Sequence, residues 1–155
     1  MRDHGASFGI GFVAGLRSLT ACAALTFAAA QRRTRGGFIP SGPGARGLAT
    51  AAALAEMAGD KMPFAPDRRI LPSFAARLVI GAAGGWALAG RRTSPEAGAL
   101  AGLVGAVAGT LIGRAARGPD SRTPPGRARG LAEDAAAVAL AAGVVASAER
   151  RMRGV

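Results

Sequence analysis

Aromatic side chains are scarce in this sequence. They supply 5% of 155 residues, with six phenylalanines, one tryptophan and no tyrosine. An interior of this size is normally filled by large side chains, so a conventional bulky core is not what this composition offers. A single cysteine, Cys22, excludes an internal disulfide. It lies within an apolar run, where packing is its plain role. "LTAC" at 19–22 has the look of a lipoprotein-processing box, but Arg17 interrupts the hydrophobic lead-in and also disfavours a cleavable leader. A single histidine, His4, excludes a histidine-based metal cluster. Acidic residues are few: 9 against 20 basic ones, for a net charge of +11.

Half of the chain is hydrophobic, and that half is mostly alanine, leucine and valine, with 24 glycines besides. Small residues in this quantity suit helices that pack at close range, as they do in membranes. The charge points to an anionic neighbour, nucleic acid or lipid. Its distribution favours lipid. Arginines cluster at 32–35, 68–69, 91–92, 114–129 and 150–153, each cluster flanking an apolar run. A nucleic-acid-binding helix would carry them along one face instead. Long arginine stems beside apolar runs are typical anchors in the headgroup region.

The chain reads as one helical domain over 1–155, with apolar segments at about 8–30, 48–58, 70–90, 97–113 and 131–149. The first, at a rise of about 1.5 Å per residue, is long enough to cross a hydrocarbon core of about 30 Å. The second is too short to span. Breaker-rich loops separate the segments, and Pro95 is placed to start a helix. The expected fold is all-α: a polytopic helical membrane protein of about four transmembrane helices plus one short helix, packed through glycine and alanine. Residues four apart share a helix face. Gly98 with Gly102, Gly105 with Gly109, and Gly109 with Gly113 therefore form a small-residue face on the fourth segment, as do Gly11 with Gly15 on the first and Gly81 with Gly85 on the third.

Charged residues interrupt or edge these runs. They are Arg17, Glu56, Arg77, Glu133 and Asp134, of which Arg17 is the deepest by position, with Asp60 and Lys61 just beyond Glu56. A charge among apolar residues needs a partner or a wet cavity, and arginine forms bidentate pairs with carboxylates. Glu56 is the first expected partner for Arg17, and Glu133 the second. Glu133 and Asp134 are adjacent and point in different directions, so they do not make a ready catalytic dyad. "GIGFVAG" at 9–15 comes near a nucleotide-binding glycine loop but follows no strand.

Several short motifs, in order, resemble a known family. "GFVAGLRSLTA" at 11–21, "AEMAGDKMPFAPDRR" at 55–69, "FAARLVIGAAGG" at 74–85 and "LAEDAAAVALA" at 131–141 are similar to the small bacterial integral membrane proteins catalogued as domain of unknown function 4126. The resemblance implies a compact helical membrane protein. It places Arg17, Glu56, Asp60, Lys61, Arg77, Glu133 and Asp134 on the family's recurrent polar positions. It implies no activity.

The expectation from sequence is thus a multi-pass protein of the bacterial inner membrane. It is non-enzymatic, its helices are joined by buried ion pairs, and it has no cofactor or metal. A transporter or channel with a polar cavity is the alternative reading, and a basic nucleic-acid-binding helical protein the third. Expected partners are membrane lipids, with anionic headgroups at the arginine clusters, and a second copy of the chain. Nucleic acid is not expected.

Overall fold

A computed structural model describes residues 4–59, 71–117 and 124–152. These residues form six helices, in chain order: α1 (Gly5–Leu16), α2 (Ser18–Ala30), α3 (Pro43–Gly59), α4 (Leu71–Ala87), α5 (Pro95–Arg117) and α6 (Pro124–Met152). Three of them open on proline, which has no N–H to lose at a first helical position.

Helix α1 is the centre of the bundle. Its sequence, GASFGIGFVAGL, is apolar or small all round, and such a helix must be enclosed. It packs against α5, α4, α6 and α2. Ile10, Val13 and Ala14 are completely buried. The contact with α5 is made by backbone. A Cβ on Gly105 would fall on the carbonyl oxygen of Phe8, and one on Gly109 on that of Phe12. From the other side, Gly11 faces the Gly102 carbonyl and Gly15 that of Ala106. The α4–α5 seam is built the same way, with Gly85 against Gly98 and Gly81 against Gly102. Gly113 lies further along α5, where it lines a groove beside α6. Small residues thus fill the seams, while large apolar side chains such as Leu100, Val104, Leu111 and Val138 lie exposed on the outer faces.

The first apolar run is not one helix. It breaks at Arg17, whose backbone is extended at φ −144° and ψ 103°. The two halves then come to lie side by side: Gly84 of α4 is packed against both Ile10 of α1 and Leu25 of α2. Their lengths, 12 and 13 residues, fall well short of the roughly 20 that a crossing requires. Helix α3 packs along α2, and Ala53 is its buried residue.

The expected topology of about four crossings plus one short helix is therefore corrected to a bundle of six helices. The supposed first span is a folded-back pair, and its central charge is paired within the protein. Among the described residues two helical stretches, 95–116 and 128–148, are long and apolar enough to cross a membrane. The multi-pass inner-membrane placement rested on the larger count and is withdrawn with it.

Two glycine substitutions should act in opposite directions. Gly105→Ala puts a methyl group onto the Phe8 carbonyl and should destabilise the protein by about 1–3 kcal/mol, as overpacking does. Gly143→Ala, on α6 with open space around it, should stabilise by about 0.5–1 kcal/mol through helix propensity alone. Thermal melts of the two purified variants against the parent check both signs.

Candidate functional site: a polar junction at the break in the first helix

Breaking a helix in a protein interior leaves N–H and C=O groups without their usual partners. At Arg17 the chain answers from three other helices. Glu56, near the end of α3, accepts the N–H of Ser18 on Oε1 at 3.3 Å and that of Leu19 on Oε2 at 3.0 Å. A carboxylate at a helix N-terminus also has the sign that the helix dipole favours. Arg77 of α4 serves the other half. Its Nη1 donates to the carbonyl of Gly15 and lies 3.4 Å from that of Leu16, placing a cation at the C-terminus of α1. The Thr110 hydroxyl donates to Ala106 O at 2.8 Å and lies 3.3 Å from Gly15 O. The backbone of Arg17 itself bridges the halves, its N–H to Val13 O at 2.7 Å and its carbonyl to Ala21 N at 3.2 Å.

The side chain of Arg17 is 3% exposed, and its Nη2 lies 2.5 Å from Oδ1 of Asp134 on α6. The partner is Asp134, neither Glu56 nor Glu133. Glu56 is engaged by the backbone of α2. Glu133, one residue before Asp134, is turned by its place on the helix into the groove between α5 and α6. Arg17, Glu56, Arg77 and Asp134 thus meet around one point. Asp60 and Lys61 lie outside the described residues. Thr110 went unnoticed in the sequence. The signal was available, since it continues the small-residue face that runs through Gly102, Ala106 and Gly109 on α5.

Cys22 lies one turn into α2. Burial and then the nearby Glu56 carboxylate push its thiol above the ordinary range. A neutral, half-buried thiol is a poor nucleophile.

Two expectations are corrected by these contacts. A groove of about 440 Å³ between α2 and α3 and another of about 380 Å³ between α1, α5 and α6 are lined by neither Arg17 nor Glu56, whose charged groups are engaged within the bundle. Nor do Arg17, Arg33 and Arg35 reach for lipid headgroups. Arg17 pairs with Asp134. Arg33 donates to the carbonyl of Val145 at 3.0 Å and Arg35 to that of Gly90 at 2.6 Å. Gly90 O lies just past the C-terminus of α4, where a cation is favoured, and Val145 O lies within α6. The membrane-embedded reading, its transporter alternative and its lipid partners are replaced by a helix bundle whose buried charges are met from within.

No protein-family model, curated protein or solved structure matches the chain. The resemblance noted in the sequence therefore rests on its motifs alone.

Arg17→Met and Asp134→Asn should each destabilise the protein by about 3–5 kcal/mol, as breaking a buried ion pair does. The double variant should recover a large part of the loss. A double-mutant cycle read by thermal unfolding measures that coupling. The same cycle with Glu133→Gln should give near-additive losses.

Cys22 supplies a second check. Its alkylation by iodoacetamide should have a pH midpoint above that of a free thiol. Glu56→Gln removes the repelling carboxylate, so the midpoint should move down.

Proposed function

We propose that this chain is a non-catalytic helical scaffold, shaped by a closed polar junction. The observation that carries the reading is the way the break is filled. An acid from α3 sits on the N–H groups that begin α2, and a base from α4 sits on the carbonyls that end α1. A substrate or ion entering there would have to displace one of the chain's own side chains. The arrangement suits a part that fixes the relative placement of the six helices better than one that turns over a ligand.

The likeness to domain of unknown function 4126 belongs to the same proposal. Arg17, Glu56, Arg77 and Asp134, four of the polar positions that the likeness implies, are the four that meet at the junction. On this reading they recur because the break needs them.

Glu56→Gln tests the proposal. A carboxylate accepts both N–H groups, one on each oxygen, whereas an amide has one acceptor oxygen and turns an NH2 group toward the other N–H. The loss should be about 1–3 kcal/mol, the cost of a buried donor left unsatisfied. Hydrogen exchange should quicken at Ser18 and Leu19 and remain slow in α5. Unchanged melting and unchanged exchange would mean that Glu56 is held there for something other than the fold, and the scaffold reading would fail.

A further inference from the structure

At the end of the bundle opposite the polar junction the surface is basic, and the fold assembles it from two separate loops. Residues 31–40 follow α2, and residues 90–94 lie between α4 and α5. Together they carry five arginines and no acidic residue; Glu96 comes next, in the first turn of α5. The loops are tied to each other by Arg35, whose N–H donates to Ala87 O at 2.7 Å and whose side chain reaches Gly90 O. Arg33 ties the first loop to α6 through Val145 O. Arg33 and Arg35 thus hold the platform together. Arg32, Arg91 and Arg92 are exposed upon it.

Arg32 is held there against its backbone preference. Its φ is +54°, the left-handed region. The helix ends in a six-to-one closure, Arg33 N to Ala28 O at 2.9 Å. The residue in Arg32's position of such a closure is usually glycine, because a Cβ is disfavoured there. A side chain kept at a strained position calls for a role of its own.

The third element is aromatic. Phe38 is 55% exposed and stands edge-on to Trp86, with ring centroids 5.5 Å apart and planes at 62°. Gly36, at φ +68°, lets the loop pass beneath them, since a Cβ there would come within 3.1 Å of the Trp86 ring and 3.2 Å of Phe38. Arginine and large aromatics are the residue types that concentrate binding energy at protein interfaces.

We propose that this end of the bundle, with Arg32, Arg91 and Arg92 beside the Phe38–Trp86 ridge, docks an acidic segment of another protein that also carries an apolar side chain. Carboxylates match the arginine forks in charge and geometry. The apolar side chain would pack on Phe38. A nucleic-acid strand fits less well, because base stacking uses open ring faces, and here Trp86 is only partly exposed and the pair covers one ring face with the other's edge.

Trp86 is the only tryptophan, so its fluorescence reports on the site. The probe is a synthetic glutamate-rich peptide with one central leucine, carrying a dye so that anisotropy gives a second readout. Saturable binding that weakens with salt is expected, with no binding of a lysine-rich peptide and weaker binding when the leucine is replaced by serine. Arg32→Gly separates binding from folding. The variant should melt no lower than the parent, because glycine suits the backbone, yet should bind the peptide roughly tenfold more weakly, as when one interfacial charge pair is lost. Full affinity in Arg32→Gly, or no binding by either readout, would overturn the proposal. So would tighter binding of single-stranded RNA or of phosphatidylglycerol vesicles than of the peptide, since the surface would then be one that selects phosphate.

Discussion

A guanidinium with almost no exposure cannot be left without compensation, and much of this structure can be traced to satisfying Arg17. The charge needs a carboxylate, and Asp134 brings α6 to it. Turning the chain at Arg17 opens the helix, and the opened ends need a donor and an acceptor. Arg77 and Glu56 supply them, fixing α4 and α3 in turn. A buried ion pair adds little net stability over an apolar substitute, because desolvation offsets attraction. Its value here is positional. In an interior poor in aromatic side chains, polar groups with directional demands settle which helix sits where.

The glycine seams do complementary work. With no side chain at Gly11, Gly81, Gly85, Gly98, Gly102, Gly105 or Gly109, the backbones of α1, α4 and α5 approach until carbonyls lie where Cβ atoms would be. Dispersion between closely packed main chains replaces the interlocking of large side chains. Such seams tolerate little adjustment, which makes the three helices a stiff frame. The two ends of that frame differ in character. One is closed by the junction, with its charges matched internally. The other gathers arginines and an aromatic pair onto two short loops.

Much of this was legible in particular residues. The helix-forming segments stand out, since alanine-rich runs alternate with loops of proline, glycine and arginine. The facing of Gly105 and Gly109 follows from their spacing of four. Arg17, Glu56 and Arg77 are conspicuous as charges in apolar surroundings. The choice of Asp134 over Glu133 was not legible. Adjacent residues on a helix differ in direction by about 100°, so which of them faces α1 depends on the rotation of α6 about its own axis, a quantity set by packing.

The sequence by itself determined that the chain is helical, that its helices meet through small residues, and that a few charges must find partners. Helical periodicity and the cost of burying charge are local or composition-level facts, so they survive without coordinates. Only the tertiary structure decided that the run from Phe8 to Ala30 is two helices folded against each other. Nothing between Leu16 and Ser18 breaks a helix by propensity, as no proline or glycine stands there. The break is favoured because Glu56, Arg77 and Asp134, distant in the chain, converge on the groups it exposes. An apolar run of that length therefore looks like one long helix until those three partners are in place.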